Sequence, residues 1–189
     1  MDLKAGKLFW KDTFEAKEYP MLEEDLSCDV CIVGSGSSGA HCANFLAETG
    51  LDVVLIDKRD ISEGSTVANT GLLQYSNDKT LTSLIHSFGE EAGTRHVLLC
   101  LDAIRILEKE VVPSLKENPD FKIRKSLYYA SNPKDVSMLK EECNNLKSRN
   151  FPVEYYTEKE IYRKFSFPKA GALVTDNDAE INPYKHAHL

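Results

Sequence analysis

Three glycines and one aspartate near the N-terminus have the types and spacing needed to hold the phosphates and ribose of a dinucleotide. Gly34, Gly36 and Gly39 form a G-x-G-x-x-G pattern, and Asp57 follows. In such a loop the first glycine permits a tight turn, the second lets the backbone approach a pyrophosphate, and the third allows a helix to pack closely on a strand. A carboxylate about 20 residues further on accepts hydrogen bonds from ribose hydroxyls.

The elements that must position these residues are predicted on both sides of the loop. The β-branched run Val30–Val33 predicts a strand before it, and the apolar run Val53–Ile56 predicts a second strand that ends at Asp57. Small apolar residues recur at helical spacing between the two strands. A phosphate would face the N-terminus of this helix, where unpaired amides favour negative charge. This context favours dinucleotide binding over an ordinary loop in an α/β domain, and the predicted contacts include Ser35, Ser37 and Ser38.

A second loop of small and hydroxylic residues follows the second predicted strand. It runs from Gly64 to Gly71 and contributes the candidate binding residues Ser65, Thr66, Asn69, Thr70 and Gly71. Its position at the carboxyl end of a strand is where a doubly wound sheet binds its ligand, although a plain solvent loop would have a similar composition. Lys58 could accept a 2′-phosphate, or it could be an ordinary solvated cation.

The composition indicates a globular protein and excludes several classes of partner. The 189 residues are 42% hydrophobic and 28% charged, with a net charge of −7. This acidic balance argues against a nucleic-acid surface or an anionic membrane, and no apolar run predicts a signal or a membrane span. We therefore expect a cytoplasmic protein. The five cysteines have no framework spacing, no metal-ligand set is predicted, and His41 is interpreted as a surface histidine.

The remaining pattern divides the chain into four segments. Residues 1–27 are interpreted as an arm whose aromatic side chains, including Trp10, pack on the domain. Residues 28–120 form the nucleotide-binding βαβ unit and its helices, and residues 121–178 begin a mixed α and β substrate domain. Residues 179–189 start a helix that returns to the first domain, because Asn182-Pro183 is a helix-start signal.

Two features predict that this nucleotide-binding fold is incomplete. Only two parallel strands are predicted, whereas a mononucleotide-binding half has three. A long amphipathic helix that ends near Pro113 also carries an apolar stripe, which so small a sheet could hardly cover; the stripe comprises Val97, Cys100, Leu101, Ile104, Leu107 and Val111. We therefore expect exposed apolar edges and self-association through them.

The motifs resemble the N-terminal part of the D-amino-acid oxidase and glycine oxidase superfamily of FAD-dependent oxidoreductases. The resemblance lies in Gly34 through Ala43 with Gly50, in Gly64 through Leu73, and more weakly in Ile181-Asn182-Pro183. It implies an α/β fold with a Rossmann-like FAD/NAD(P)-binding domain of the glutathione-reductase type, followed by the start of a mixed α+β substrate domain. It also implies FAD as the cofactor.

The same resemblance implies oxidation of a small amine or amino acid, with hydride passing to flavin N5. The glycine loop would hold pyrophosphate, Asp57 the ribose, and Ser65, Thr66, Asn69 and Leu72 the middle and flavin end of the cofactor. Asp57 stands where the family commonly has glutamate, and Val67 where it often has arginine. No residue matches a catalytic position, so none is assigned, and this chain alone is expected to be inactive. An NAD(P)-dependent dehydrogenase and a non-catalytic dinucleotide-binding fragment remain the alternatives.

Overall fold

The structure is a computed structural model that describes residues 6–76 and 78–189. Its strands are β1 Val30–Val33, β2 Val53–Ile56, β3 Leu72–Leu73, β4 Lys122–Tyr129, β5 Val153–Thr157 and β6 Gly171–Glu180. Its helices are α1 Ser37–Ala47, α2 Leu81–Phe88, α3 Glu90–Ile106, α4 Val112–Ser114, α5 Val136–Lys147, α6 Glu158–Lys164 and α7 Pro183–His188. Short 3₁₀ turns span Phe9–Thr13, Ser65–Ala68 and Pro133–Asp135, and a π turn joins α3 to α4 at Leu107–Val111.

The described residues form two compact units. The first contains those within 1–71, 115–120 and 181–189, and the second contains those within 72–114 and 121–180. The sequence boundaries differ from this division, because they placed the helices before residue 120 with the nucleotide-binding unit. The reason is packing: α2 contacts α5, and α3 contacts β6, so both helices join the second unit. The assignment of a cofactor role and a substrate role to separate domains stays a prediction.

The first unit is built on the predicted strand, helix and strand. Strands β1 and β2 are parallel and pair from Val30 with Val53 to Val33 with Ile56. The N–H of Gly34 then donates to the Ile56 carbonyl at 2.7 Å, so pairing continues to the start of the glycine loop. Helix α7 starts as the sequence predicted, because the Asn182 side chain accepts from the N–H of Lys185 at 3.0 Å. Both strand predictions and this helix cap are confirmed.

The second unit contains an antiparallel sheet organised around β6. Strand β4 pairs with one side of β6, while β3 and β5 pair with separate parts of its other side. A register shift lies between Arg124 and Ser126 on β4, and Asn177 on the facing part of β6 has a φ of +68°. Such a bulge bends both strands and increases their twist. It lets one long strand serve three partners.

The helices of the second unit bury their apolar stripes against this sheet and one another. Leu139, Cys143 and Leu146 of α5 are buried, as the sequence predicted. The stripe of α3 is also covered, with Val97 and Leu101 each 2% exposed. This corrects the expectation that the stripe lacks a partner, because the second unit provides one. Within the described residues, no helix combines the length and apolar character needed to cross a membrane.

Helix α2 begins at a carboxylate that comes from a different helix. Glu142 of α5 is 1% exposed, and its two oxygens accept from the N–H groups of Leu81 and Thr82 at 2.7 and 2.9 Å. The hydroxyl of Thr82 donates to the same carboxylate at 2.6 Å. A buried charge is tolerated when it is hydrogen-bonded, and a carboxylate at a helix N-terminus is further favoured by the helix dipole. Glu142 therefore acts as a tertiary cap.

Candidate dinucleotide-binding site

The glycine loop shows why two of its three glycines are required. Gly34 has a φ of +105°, which favours glycine. A Cβ atom on Gly39 would lie 1.8 Å from the Gly34 carbonyl oxygen and 3.3 Å from a methyl group of Leu55. The first contact is with backbone, which cannot move away without opening the turn. The absent side chain at position 39 therefore lets α1 lie directly against the loop and β2.

The N-terminus of α1 is linked to the second loop through Thr66. The first helical hydrogen bond runs from the N–H of Ala40 to the Gly36 carbonyl at 2.9 Å, so the amides of Ser37, Ser38 and Gly39 precede it. The Ser37 N–H donates to the Thr66 hydroxyl at 3.0 Å. Thr66 is 6% exposed, and its hydroxyl would lie 2.8 Å from a Cβ atom on Gly36. The structure thus brings together predicted residues from both loops.

Asp57 contacts the glycine loop at the end of β2. One of its carboxylate oxygens accepts from the Ser35 N–H at 2.8 Å and the Ser35 hydroxyl at 3.0 Å, and the other accepts from the Arg59 N–H at 3.0 Å. The Ser35 amide, followed by the Arg59 amide, lowers the pKa of Asp57 below its usual value. The carboxylate is therefore ionised at neutral pH, and it remains exposed at the edge of the loop.

Asn69 fixes the conformation of the second loop from within. Its side-chain amide donates to the Thr66 carbonyl at 2.9 Å, and its side-chain oxygen accepts from the Gly71 N–H at 2.8 Å. Gly71 has a φ of +70°, and a Cβ atom there would lie 2.4 Å from the Ile181 carbonyl oxygen. The Gly71 carbonyl in turn accepts from the Ile181 N–H at 2.8 Å. The loop is therefore held between its own side chain and the residues before α7.

The other predicted site residues lie at the surface. Ser38, Lys58, Ser65 and Thr70 are exposed. Leu72 is 58% exposed and begins β3, so it belongs to the second unit rather than the first.

Two residues that contact the loops were not identified as site residues from the sequence. Ser62 is 1% exposed, has a φ of +65°, and donates its N–H to the Ser35 carbonyl at 3.2 Å. Trp10 donates its indole N–H to the Asn69 carbonyl at 2.8 Å. A buried serine in a polar loop gives no periodic signal. The aromatic residues of the arm predicted packing, and this is confirmed for Trp10, but they did not predict which loop it contacts.

His41 differs from its interpretation as a surface histidine. It is half-buried on α1, and its Nε2 lies 3.4 Å from Nε2 of His186 on α7. Burial, followed by the neighbouring His41, lowers the pKa of His186 to about 4, and burial also lowers the pKa of His41. The two rings are therefore neutral at pH 7, and the pair joins α7 to the helix that follows the glycine loop. The sequence gave no signal for this contact because the residues are far apart in the chain.

The donors and the space at this site fit a dinucleotide. The turn at Gly34 and the bare Cα of Gly36 leave room for a phosphate beside amides that precede the first helical bond. Thr66 and Asp57 add a hydroxyl and a carboxylate at the two edges of the same loop. A parallel strand pair joined through a glycine turn and a helix, with an acid after the second strand, defines a Rossmann-like dinucleotide-binding protein.

The comparison with known families narrows this class. A sequence model of the family described as FAD dependent oxidoreductase matches residues 29–189. The chain belongs to this family, whose members carry FAD. The resemblance inferred from the glycine and second-loop motifs is therefore confirmed, as is FAD as the cofactor of the family.

Three relatives illustrate how far the similarity extends. The γ-glutamylputrescine oxidoreductase of Escherichia coli (strain K12) is 27% identical over 167 residues, which are 87% of this chain and 39% of that protein. The FAD-bound L-α-glycerophosphate oxidase of Mycoplasma pneumoniae superposes with a TM-score of 0.68 and 16% identity over 85% of this chain and 40% of its own. The glycine oxidase of Geobacillus kaustophilus gives 0.62 and 20%, over 85% and 42%.

The two structural matches establish the fold. They support the predicted α/β class, with a Rossmann-like FAD-binding domain present in part. The chain spans between a third and two fifths of the length of the curated relatives that it matches along most of its own length.

Proposed function

We propose that this chain supplies the FAD-binding part of an oxidoreductase that acts on a small amine or amino acid. The observation that supports this most directly is the hydrogen bond from the Ser37 N–H to the Thr66 hydroxyl, since it joins the glycine loop to the second loop at a helix N-terminus. In this arrangement the amides of Ser38 and Gly39 receive the pyrophosphate, and the exposed carboxylate of Asp57 accepts from the adenosine ribose. Asn69 and Gly71 continue toward the flavin end.

The bound flavin supplies the chemistry, which is acceptance of a hydride from the substrate carbon. This chain's own residues bind and orient it. No described residue is assigned a catalytic role, and we expect the substrate positions to lie mainly outside residues 1–189. The substrate class is supported by the similarity to a γ-glutamylputrescine oxidoreductase along 87% of the chain, which favours a C–N donor.

Binding of FAD by the purified chain tests the cofactor proposal. We expect flavin to be retained by the parent and lost in Gly36→Val, because the added side chain would occupy the space beside Thr66 where a phosphate enters. Asp57→Asn should weaken FAD binding by about 1.5–3 kcal/mol, the value of a hydrogen bond to a charged group. Asp60→Asn makes the same charge change three residues further on and should leave the affinity unchanged. A parent chain that binds no FAD would contradict the proposal.

Turnover by the full-length protein tests the substrate class. We expect oxidation of a diamine derivative or amino acid with reduction of the flavin. The second candidate is an alcohol phosphate such as glycerophosphate, favoured by the fold similarity to the L-α-glycerophosphate oxidase. Flavin bleaching under anaerobic conditions distinguishes the two, because only the true substrate reduces it. An NAD(P)-dependent dehydrogenase would instead require nicotinamide for turnover and would retain no flavin.

A further inference from the structure

The N-terminal arm contacts the second loop at the point where that loop turns. Trp10 lies in the 3₁₀ turn Phe9–Thr13 and donates its indole N–H to the Asn69 carbonyl at 2.8 Å. Its ring also covers Gly71, where a Cβ atom would lie 3.0 Å from the indole edge. A single side chain thus contacts both ends of the Asn69–Gly71 turn. The arm precedes residues 29–189, so family membership assigns it no role.

Two further contacts hold the arm in this position. Lys11 forms an ion pair with Glu63, which lies just before the second loop. The Thr13 hydroxyl accepts from the side-chain amide of Asn182 at 2.9 Å, and Asn182 is the residue that caps α7. Asn182 is 1% exposed, so this anchor is fixed within the first unit. The arm therefore has one attachment on each side of Trp10.

The contacts of Trp10 continue inward to the glycine loop. Trp10 holds the Asn69 backbone, the Asn69 side chain holds the Thr66 carbonyl, and the Thr66 hydroxyl accepts from the Ser37 N–H at the start of α1. The Asn69 side chain also receives the Gly71 N–H at 2.8 Å. The arm, the second loop and the helix N-terminus are consecutive links in one hydrogen-bonded chain.

From these contacts we propose that Trp10 is a positioning residue for the cofactor, which holds the Asn69–Gly71 turn in the conformation that receives the flavin side of FAD. This inference rests on the proposed function for its ligand, but not for its mechanical part. A surface loop that is ordered before binding loses less conformational entropy when the ligand arrives. Removing Trp10 therefore loosens the turn first and weakens FAD binding as a consequence.

Amide hydrogen exchange without FAD tests the mechanical part. In Trp10→Ala we expect the Gly71 amide, which is bonded to the Asn69 side chain, to exchange about tenfold faster, since one hydrogen bond and its ring contact are lost. Tyr19→Ala is the matched control, because Tyr19 is an arm aromatic that is 53% exposed. It should leave this exchange unchanged. Trp10→Phe keeps a ring without the donor and should lie between the two.

Titration with FAD tests the consequence. The dissociation constant should rise about tenfold in Trp10→Ala, by loss of the same interactions, and should be unchanged in Tyr19→Ala. Unchanged Gly71 exchange in Trp10→Ala would overturn the proposal, and so would faster exchange with unchanged FAD affinity. A parent chain that binds no FAD would instead contradict the proposed function, while the exchange measurement would still decide whether Trp10 holds the turn. Circular dichroism of each variant verifies that the two units remain folded.

Discussion

Strands β1 and β2 of the first unit and β6 of the second unit are similarly apolar but differ in burial. Every residue of β2 is only half-buried, and Val33 at the end of β1 is 81% exposed. In contrast, residues 171–175 of β6 are all buried. The difference follows from the neighbours: β6 has three partner strands and covering helices, whereas β1 and β2 pair with each other among the described residues. An apolar run therefore predicts a strand, but its burial depends on the rest of the sheet.

The comparison also explains where the first unit gains its order. Parallel strands are normally covered on both faces, and a mononucleotide-binding half has three of them. The described residues provide two, together with α1, α7 and the N-terminal arm. The first unit is thus held mainly by close backbone packing and by hydrogen bonds between loops. The second unit is held by a buried apolar core. The predictions below test this contrast.

The largest effect is expected from Gly39→Ala. Its Cβ atom would lie 1.8 Å from the Gly34 carbonyl oxygen, so the substitution must separate α1 from the loop at a cost of about 4 kcal/mol. Urea unfolding, followed by amide exchange, should show loss of the first unit while the second unit stays protected. Gly64→Ala is the matched control, because its Cβ atom would meet only an Arg59 guanidinium nitrogen at 3.4 Å. Equal stability of the two variants would contradict this account.

The second prediction truncates the core of the second unit. Leu139 of α5 is 0% exposed, and Leu139→Ala should lower the free energy of unfolding by about 3 kcal/mol through lost burial and a residual cavity. Thermal unfolding with probes in each unit provides the measurement. Exchange protection should be lost in α5 and β6 and retained in β1 and β2. Simultaneous loss in both units would show that they unfold as one.

The third prediction concerns pH and the first unit alone. Because burial lowers the pKa of His186 to about 4, this residue is neutral in the folded state and takes up a proton on unfolding. Its contribution is complete above pH 6.5 and declines as the pH falls toward 4. By pH 5 the loss should be about 2 kcal/mol, since one pKa unit corresponds to about 1.4 kcal/mol.

Urea unfolding of the first unit between pH 7 and pH 4.5 measures this loss. His186→Leu removes the titrating group and should flatten the pH dependence. His41→Gln should flatten it in part, because His41 is the second cause of the lowered pKa of His186. An unchanged slope in His186→Leu would show that other groups are responsible for the acid sensitivity.

The smallest effect on stability is expected at the exposed end of β1. Val33→Lys should change the free energy of unfolding by less than about 0.5 kcal/mol, because the Val33 side chain is already in solvent. It should nevertheless reduce concentration-dependent self-association, since a charge on an open strand edge opposes pairing with another copy. Sedimentation velocity at several concentrations measures this. Identical association of the parent and the variant would exclude β1 as the contact.

Much of the local structure could be predicted from the sequence because its signals are local. The limits of β1 and β2, the cap at Asn182, the capping box at Thr157 with Glu160, and the buried positions of α5 follow from patterns within a few residues. The covering of the α3 stripe could not be predicted in this way. It depends on β6, which lies about 70 residues further along the chain, and no periodic pattern encodes such a distance.

The candidate site shows the same limit. The glycine spacing and Asp57 were identified because their motif has fixed offsets. The contact of Trp10 with Asn69 and that of His41 with His186 are formed by residues 59 and 145 positions apart. These contacts depend on the turns that bring the segments together. Ser62 belongs to this group as well, because its positive φ is a property of the folded loop rather than of its residue type.

The Glu142 cap has a consequence for the order in which the second unit folds. An isolated helix of eight residues is marginal in water, and α2 has only the length from Leu81 to Phe88. The carboxylate that accepts its first amides comes from α5, about 60 residues later, so the intervening chain must first be closed into a loop. We therefore expect α5 to form before α2 during refolding, with α2 acquiring its first turn only once the later helix has docked beside it.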